Sequence, residues 1–357
     1  MKPGGPHVLL ARQDNDGDVL LAGPAVRAAA AHAREVTLLV GPRGAQAAAL
    51  LPGPDRVVVE EAAWIDAHPR AIDRRVMDAF VDRLRDLEVD VAVILTSFHQ
   101  SPLPLALLLR LAGVPRIGAV SVDYPGALLD VRHRVDDDVH EVERSLSLMH
   151  AMGFDLPPGD DGALRVGQLP AVQSPFGDEP YVVVHPGASV PARAWGAERN
   201  AELVTALVAA GRRVAVTGAP SETALTAAVA GPPRAEVADL GGRTRFPELA
   251  SVLAGAACVV VGNTGPAHLA AAVGTPIAAV YALTVPAVRW RPWRVAHALL
   301  SHDVICAGCR ARECPVPGHP CVGRVAVEDV VGAVDELAGP PLADAAGRGG
   351  APLEVAA

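Results

Sequence analysis

Short, mostly apolar runs recur along this chain, and each is separated from the next by polar loops or by segments with helical spacing. In the first half such runs occupy residues 7–11, 36–40, 56–59, 89–95 and 116–120. Short uninterrupted apolar runs are typical of strands that are buried on both faces of a parallel sheet. Between two of them, Val76, Phe80 and Leu84 recur at helical spacing. The pattern predicts alternating strands and helices.

The same alternation starts again after residue 180. It predicts strands over 181–184, 213–216, 259–261 and 277–281 and helices over 197–210 and 247–254. The intervening stretch 155–180 is rich in Pro, Gly and Asp, which is typical of a connection between domains. We therefore predict an N-terminal Rossmann-like domain (1–165), a linker (166–180), a second Rossmann-like domain (181–325), a C-terminal helix (326–338) and a disordered tail (339–357).

Length and composition agree with two α/β domains. A chain of 357 residues is long for a single core, and 50% hydrophobic with only 3% aromatic residues implies cores of Ala, Val and Leu. The net charge of −9 argues against a nucleic-acid partner, which would require a basic face. No apolar run is long enough to span a bilayer, and no signal segment is found at the N-terminus. A cytoplasmic protein is the expectation.

One stretch, residues 258–276, has the features of an anion site. An apolar strand is followed by a loop containing Gly265 and Pro266 and then by helix-forming residues. Free backbone N–H groups and the helix dipole both favour an anion at such a helix start. Thr264 and His268 add a hydroxyl and an imidazole. We predict that this loop binds the phosphates of a nucleotide-linked donor.

Further loop motifs follow the predicted strands in a fixed order. They are Gly17-Asp18, Arg116-Ile-Gly118, His140-Glu-Val-Glu-Arg144, His185-Pro-Gly-Ala188, Arg193-Ala-Trp195, Thr217-Gly-Ala-Pro220, Asp239-Leu-Gly-Gly242, Asn263-Thr-Gly-Pro-Ala-His268 and the cysteine segment 306–321. In this order the motifs resemble glycosyltransferase family 9, the heptosyltransferases, over residues 7–337. The pattern is most similar to the type II lipopolysaccharide enzymes.

The resemblance implies a GT-B fold, in which two Rossmann-like domains with parallel sheets face a central cleft. The acceptor would bind the first domain and the nucleotide sugar the second, and the C-terminal helix would pack back on the first domain. The implied reaction is inverting and metal-independent and needs no cofactor. A heptose or related sugar passes from a nucleotide sugar, with ADP-heptose favoured, to a hydroxyl of a glycan or small metabolite. A lipid-linked acceptor would add a peripheral membrane contact.

Two other functions fit the same fold. One is a nucleotide-sugar epimerase or hydrolase, which would need further acid–base carboxylates. The other is a sugar-nucleotide-binding protein without catalytic activity.

Transfer to a hydroxyl requires a general base, and the resemblance places Asp18 in that role. From the residues alone, Asp18 could equally cap the helix that follows, and Asp14 and Asp16 in the same loop are rivals. Weaker acceptor-binding candidates are Asp16, Gly17 and His99.

The resemblance also implies a set of donor-binding residues in the second domain. They are Ser189, Arg193, Thr217, Gly218, Glu222, Gly242, Thr244, Asn263, Thr264, Gly265 and His268. Arg193 stands where the family often has lysine, and it could alternatively be an ordinary surface arginine. Glu222 could cap a helix or bind a ribose or sugar hydroxyl. Asn263 stands where the family usually has Asp, a change expected to affect the donor sugar.

Four cysteines close together in sequence raise the question of a metal. Cys306, Cys309, Cys314 and Cys321 have enough ligands for a structural zinc. Free packed thiols or a disulfide are the alternatives, and we expect no metal.

Overall fold

The computed structural model describes residues 4–66 and 69–339, so the predicted tail lies, from residue 340 onward, outside the described residues. The chain forms two compact units. The first comprises the chain up to Leu169 together with two short later segments, Ala271–Val273 and Pro286–Arg294. The second comprises Pro170–Ala270, Gly274–Val285 and the chain from Val295 onward.

The first unit alternates strands with helices as its apolar pattern predicts. Its strands are β1 (His7–Arg12), β2 (Glu35–Val40), β3 (Arg56–Val59), β4 (Val91–Ile94), β5 (Arg116–Val120) and β6 (Val131–His133). Its helices are α1 (Asp16–Leu21), α2 (Gly23–His32), α3 (Ala45–Ala48), α4 (Arg74–Asp86), α5 (Leu103–Leu111) and α6 (Glu141–Ala151).

All strands of this sheet are parallel, in the order β3-β2-β1-β4-β5-β6. The central strands β1 and β4 are buried throughout, because helices cover both faces of such a sheet. Between β1 and β4 the order of strands reverses. At such a reversal the loops leaving the carboxyl ends of the two strands diverge, and ligands of open α/β sheets bind there.

The second unit repeats this design. Its strands are β7 (Tyr181–His185), β8 (Arg213–Val216), β9 (Val237–Asp239), β10 (Cys258–Gly262), β11 (Ile277–Val280) and β12 (His297–Leu300). Its helices are α7 (Ala197–Ala209), α8 (Thr223–Ala230), α9 (Phe246–Ala254), α10 (Gly265–Val273), α12 (Pro320–Gly323) and α13 (Val327–Ala338). The last three residues of α10 are grouped with the first unit, and so is the whole of α11 (Ala287–Trp290).

This sheet is also parallel, in the order β12-β11-β10-β7-β8-β9, and its reversal lies between β7 and β10. In both units the strand order, counted within the unit, is 3-2-1-4-5-6, the order of dinucleotide-binding Rossmann folds. The predicted α/β class with two Rossmann-like units is confirmed.

Three of the strands, β6, β9 and β12, were not predicted. Each lies at a sheet edge and has three or four residues, none of them fully buried. A short edge strand needs only one partner and no continuous apolar run, so its sequence resembles a loop. Residues 131–138, whose charged sequence is typical of a loop, therefore begin with the strand β6.

The C-terminal helix α13 belongs to the second unit, where it contacts α7, β10 and β11. Its predicted packing on the first domain stays a prediction. Val330 and Val334 on α13 are completely buried in that core because they face the sheet. The segment that joins the first unit is instead Pro286–Arg294, which was predicted to belong to the second domain.

None of the helices in the described ranges is both long and apolar enough to cross a membrane.

Candidate functional site

A buried arginine organises the carboxyl end of β1. Arg12 is the last residue of that strand, and its side chain is 1% exposed. Its Nη2 donates to Asp18 at 3.1 Å and to Ser97 Oγ at 2.9 Å, and its Nη1 donates to Glu141 at 3.1 Å. Its Nε lies 2.9 Å from a carboxylate oxygen of Asp14. One guanidinium therefore holds three carboxyl groups at the reversal between β1 and β4.

Burial and neighbouring charges determine the protonation of Arg12 and of its carboxyl partners. Burial alone would lower the pKa of the Arg12 guanidinium, but the carboxylates of Asp14, Glu141 and Asp18 raise it above its ordinary value. Burial raises the pKa of Asp14 to about 6, against the opposing effect of Arg12. Burial also raises the pKa of Glu141. Arg12 consequently stays charged, whereas Asp14 and Glu141 ionise at a higher pH than an exposed carboxyl group would.

Among the three carboxyl groups, Asp18 is the accessible one. Its side chain is 21% exposed, compared with 6% for Asp14 and 1% for Glu141. Asp18 lies in the first turn of α1, whose N-cap is Asn15. Within the described residues, its side chain accepts hydrogen bonds from the side chains of Arg12 and Asn15 and none from a backbone N–H group. The helix-cap alternative for Asp18 therefore finds no support in its contacts.

The two rival aspartates have structural partners. The side chain of Asp14 accepts a hydrogen bond from Gln100. Asp16 accepts one from the backbone N–H of Ala47 at 2.9 Å, and burial raises its pKa to about 6. Asp16 thus joins α1 to α3.

The other two weak acceptor candidates lie in different segments of the first unit. Gly17 is buried within α1, and His99 is exposed in the loop after β4. Of these three predicted residues, His99 is the most accessible to a ligand.

Aromatic side chains and a further arginine lie in the same unit. The Arg289 guanidinium stacks on the Phe98 ring, 4.0 Å from its centroid, and the Trp290 ring is 5.3 Å from that of Phe98. The segment that carries Arg289 is attached by His140, whose ring stacks on Trp293 at 4.3 Å. His140 also contacts the backbone carbonyl of Arg291 at 3.0 Å. The segment Pro286–Arg294 is thus held against α6.

In the second unit, the loops after β7 and β10 meet at the sheet reversal. A Cβ on Gly262 would lie 2.9 Å from the carbonyl oxygen of Arg193, so glycine permits this close approach. The Arg193 guanidinium reaches the carbonyl oxygen of Asn263 at 3.5 Å. The Thr264 hydroxyl is buried and has no hydrogen-bond partner among the described residues. A guanidinium and a buried hydroxyl therefore lie beside the start of α10, and both are groups that can bind phosphate.

The carboxamide of Asn263 is hydrogen-bonded to the backbone inside the second unit. Its Nδ2 donates to the carbonyl of Ala282, and its Oδ1 accepts from the N–H of Ala282, both at 3.2 Å. The side chain is 8% exposed, so both ends of the carboxamide are used inside the fold. Asn263 joins the end of β10 to the residues after β11, and its predicted contact with the donor stays a prediction.

The predicted donor residue Thr217 is completely buried, and its hydroxyl pairs with His185 Nδ1 at 3.0 Å. Its contact with a donor stays a prediction.

The loops after β8 and β9 bring three other predicted residues together. The N–H of Gly242 donates to the carbonyl of Gly218 at 2.9 Å. Gly242 has φ +67°, a backbone conformation that favours glycine. Glu222 accepts a hydrogen bond from the N–H of Ala219 at 2.8 Å, as its helix-cap alternative predicts. This cap uses one carboxylate oxygen of Glu222.

The remaining predicted donor residues differ in exposure. Ser189 is exposed, Thr244 is half-buried, Gly265 begins α10 and His268 is buried in that helix. Ser189 and Gly265 thus lie at the same reversal as Arg193 and Thr264.

The cysteines form no disulfide, since all five are free thiols within the described ranges. Cys306, Cys309, Cys314 and Cys321 line one small cavity in the second unit. Nevertheless, no three His, Cys, Asp or Glu side chains in the described part of the chain are arranged to hold a metal ion. The geometry gives no argument for the zinc alternative.

Sequence reasoning missed Arg12, Ser97, Glu141 and Arg289. A charged residue at the end of an otherwise apolar strand was the available signal for Arg12. Glu141 lies within the motif 140–144, but nothing in the motif indicates its partner. Arg289 had no local signal, because its place in the first unit depends on the path of the chain.

Comparison with known proteins connects these features to a family. The sequence model of glycosyltransferase family 9 (heptosyltransferase) matches residues 77–319 of this chain. A curated relative, lipopolysaccharide heptosyltransferase 3 of Escherichia coli strain K12, is 33% identical over 116 residues. That match covers 32% of this chain and 33% of the relative, so it spans about a third of the relative's length.

Solved structures share the fold over nearly the whole chain. A family 9 glycosyl transferase from Veillonella parvula has a TM-score of 0.74 at 15% identity, covering 95% of this chain and 98% of that one. E. coli heptosyltransferase WaaC with ADP-2-deoxy-2-fluoro heptose has a TM-score of 0.69 at 22% identity, covering 92% and 99%. E. coli ADP-heptose lipopolysaccharide heptosyltransferase II has a TM-score of 0.70 at 16% identity, covering 93% and 98%.

Proposed function

The chain belongs to glycosyltransferase family 9, and from this premise we propose that it transfers a heptose or related sugar from ADP-heptose to an acceptor hydroxyl with inversion. The acceptor is a glycan or a small metabolite that binds the first unit. The observation that carries the proposal is the position of Asp18: an accessible carboxylate, held by a buried arginine, at the strand reversal of the first sheet.

In the proposed reaction, Asp18 is the general base. It takes the proton of the acceptor hydroxyl as that oxygen attacks the anomeric carbon. A new carbon–oxygen bond forms on one face of the sugar, while the bond to the diphosphate breaks on the other. The proton then passes from Asp18 to solvent, and ADP leaves with the electron pair of the broken bond. Arg12 orients Asp18 by its hydrogen bond and ion pair.

The leaving diphosphate gains negative charge, and the second unit supplies groups suited to stabilise it. These are the Arg193 guanidinium, the buried Thr264 hydroxyl and the backbone N–H groups at the start of α10. Preorganised donors of this kind stabilise charge that develops in a transition state. A guanidinium can contact two phosphate oxygens, so arginine at position 193 is compatible with this role.

The test replaces the proposed base and a neighbour in the same loop. Asp18→Asn keeps the size of the side chain but removes its basicity, and we expect transfer from ADP-heptose to fall by about 10²–10⁴-fold. Asp16→Asn is the matched control, because an asparagine oxygen can still accept from Ala47 N–H. It should retain activity within a few-fold.

Release of ADP, with and without candidate acceptors, measures both variants. Full activity of Asp18→Asn would contradict the assignment of the base. If the wild-type protein binds ADP-heptose but neither transfers nor hydrolyses the sugar, a transferase function is wrong.

A further inference from the structure

The cysteine segment 306–321 carries a group of thiols to which the proposed transfer reaction assigns no role. Cys306, Cys309, Cys314 and Cys321 line one small cavity of the second unit. Cys306 and Cys309 are exposed, Cys314 is half-buried, and Cys321 is buried in the hydrophobic core. All four are free thiols, so the cavity brings together side chains that can lose two electrons and form a disulfide.

Two further polar atoms of the same cavity make no hydrogen bond with the described residues. They are the hydroxyl of Thr284, a residue that is 3% exposed, and Nε2 of His319. Burial lowers the pKa of His319, so its imidazole is neutral at pH 7 and can accept a proton. A base beside several thiols favours their chemistry, because the thiolate and not the thiol is the nucleophile.

The backbone of the cysteine segment is bonded to the loop that precedes Arg193. The carbonyl of Arg312 accepts a hydrogen bond from the N–H of Ala192 at 2.9 Å. Ala192 lies directly before Arg193, the guanidinium that we propose for the donor diphosphate. A displacement of the segment near Arg312 therefore reaches the donor loop through one residue.

Two other backbone bonds join the cysteine segment to the loop after β11. The N–H of Gly308 donates to the carbonyl of Leu283 at 2.7 Å, and the N–H of Arg310 donates to that of Thr284 at 2.9 Å. This loop directly follows Ala282, the backbone partner of the Asn263 carboxamide. The segment is thus bonded to both loops that flank the end of β10.

Within the cavity, Cys314 and Cys321 are the pair whose connecting chain turns back on itself. The N–H of His319 donates to the carbonyl of Val316 at 3.1 Å and closes a turn between the two cysteines. Such a reversal brings the ends of a short segment together, as a disulfide requires. Burial raises the pKa of Cys321, and the charge of Cys314 raises it further, ahead of that of Cys306.

We propose that Cys314 and Cys321 form a site of reversible oxidation, in which a disulfide between them weakens ADP binding by the second unit. Cys314 is the thiol that an oxidant reaches first, because it is half-buried and lies on a loop. Cys321 is the resolving thiol, fixed in the core at the start of α12. The inference rests on the proposed function where it assumes that ADP binds beside Arg193.

The oxidant is a low-molecular-weight disulfide from solution. The Cys314 thiolate attacks one sulfur of that disulfide, forms a mixed disulfide and releases one small thiolate. Cys321 then gives its proton to the imidazole of His319 and attacks the Cys314 sulfur, which releases the second small thiolate. The two protein thiols lose two electrons, and the two small thiolates take up the protons that Cys314 and Cys321 have given up.

Formation of this disulfide changes the loop before Arg193. Cys321 is held in the core, so closing the bond moves Cys314 and the chain before it, and the Arg312 carbonyl leaves the N–H of Ala192. We expect oxidation to raise the Kd of ADP about tenfold, a usual size for coupling between two sites. Because such coupling is reciprocal, saturating ADP should lower the oxidised fraction in a fixed thiol–disulfide buffer.

Mass spectrometry of the full chain tests the pairing. The reduced protein is incubated with oxidised glutathione, the remaining thiols are blocked with iodoacetamide, and the protein is digested with trypsin. Cleavage after arginine gives two peptides, 295–310 with Cys306 and Cys309, and 313–324 with Cys314 and Cys321. We expect peptide 313–324 to escape blocking and to lose two hydrogens, and dithiothreitol to reverse both changes. A bond confined to 295–310, or complete blocking of 313–324, would overturn the proposal.

Calorimetric titration with ADP then compares the reduced and oxidised forms of each variant. Cys314→Ser should bind ADP as the reduced wild type does and should show no change with oxidant. Cys309→Ser removes an exposed thiol of the same cavity and is the matched control. It should keep both the disulfide and the weaker binding of ADP after oxidation. Melting temperatures establish that each variant is folded.

Two results separate the oxidation site from the proposed function. If the disulfide forms in 313–324 and the Kd of ADP stays unchanged, the coupling to the donor loops is wrong, whereas the proposed function is unaffected. If the disulfide forms reversibly but the reduced protein does not bind ADP, the oxidation site stands and the proposed donor fails.

Discussion

At the scale of single residues, the first-unit site depends on how three carboxyl groups share one buried guanidinium. Arg12 contacts Asp14, Asp18 and Glu141, and only Asp18 combines that contact with appreciable exposure. A buried carboxylate is costly to ionise, whereas an accessible one can exchange protons with a ligand. The difference in exposure is therefore what singles out Asp18 among neighbouring aspartates.

The effect of burying an ionisable carboxyl group on stability can be measured at Asp16. Burial raises its pKa from 3.8 to about 6, so its contribution to stability is complete below about pH 4 and is lost as the pH rises through about 6. We expect Asp16→Asn to be more stable than the wild type at pH 7 by about 1–2 kcal/mol, allowing for partial exposure. Near pH 4 the two proteins should be equally stable. Urea unfolding at both pH values checks this.

Asp160 supplies a comparison of opposite sign. Hydrogen bonds from Arg27 lower the pKa of Asp160, so its stabilising effect is present above the unfolded pKa and is lost as the pH falls. Asp160→Asn should therefore be less stable than the wild type at pH 7, with a difference that narrows in acid. If both variants were more stable than the wild type at pH 7, or both less stable, the environments assigned to Asp16 and Asp160 would be wrong.

At the scale of secondary-structure elements, the second-unit site is formed by loops that backbone contacts hold together. Gly262 allows the chain at Arg193 to approach β10 closely, and the N–H of Gly242 bonds to Gly218 between the loops after β8 and β9. These contacts place the predicted donor residues around the carboxyl ends of neighbouring strands. The side chains of Asn263 and Thr217 make hydrogen bonds within this framework.

Asn263 gives the prediction at this scale. Asp at position 263 could accept from the N–H of Ala282 but could not donate to its carbonyl, and it would place a charge in a site that is 8% exposed. Asn263→Asp should therefore lower the free energy of unfolding by about 1–3 kcal/mol at pH 7. Asn263→Ala, which loses both bonds without adding a charge, is the comparison. A pH-independent loss in the Asp variant would contradict the role of the charge.

At the scale of the whole molecule, two units repeat the strand order 3-2-1-4-5-6, and their cores are separate. The C-terminal helix α13 completes the core of the second unit through Val330 and Val334. The segment Pro286–Arg294, by contrast, leaves the second unit in sequence and contributes Arg289 to the first.

The packing of α13 can be tested by local stability. The double variant Val330→Ala, Val334→Ala removes buried side chains, and each replacement should cost about 1–3 kcal/mol. Hydrogen exchange should lose protection in β10 and β11 and keep it in β1 and β4, because the two cores are separate. Glu336→Ala, an exposed change on the same helix, should alter neither. Loss of protection in β1 and β4 alone would favour packing on the first unit.

The sequence by itself determined the central strands, the helices around them and the family. Buried strands need apolar runs and helices need apolar residues at regular spacing, so both can be predicted from the local sequence. The strand, glycine loop and helix start that predict an anion site at 263–268 were also visible in the sequence. The prediction of Asp18 came from the family resemblance, since the local pattern allowed Asp14 and Asp16 equally.

Only the tertiary structure decided which side chains meet. Arg12 and Glu141 are 129 residues apart, and no local pattern pairs them. The edge strands β6, β9 and β12 depended on neighbours rather than on their own apolar content. Asn263 became a structural cross-link because Ala282 is opposite it, and Arg289 joined the first unit because its segment lies against α6. Contacts between distant segments are set by packing and by the pairing of buried polar groups, which a single sequence does not display.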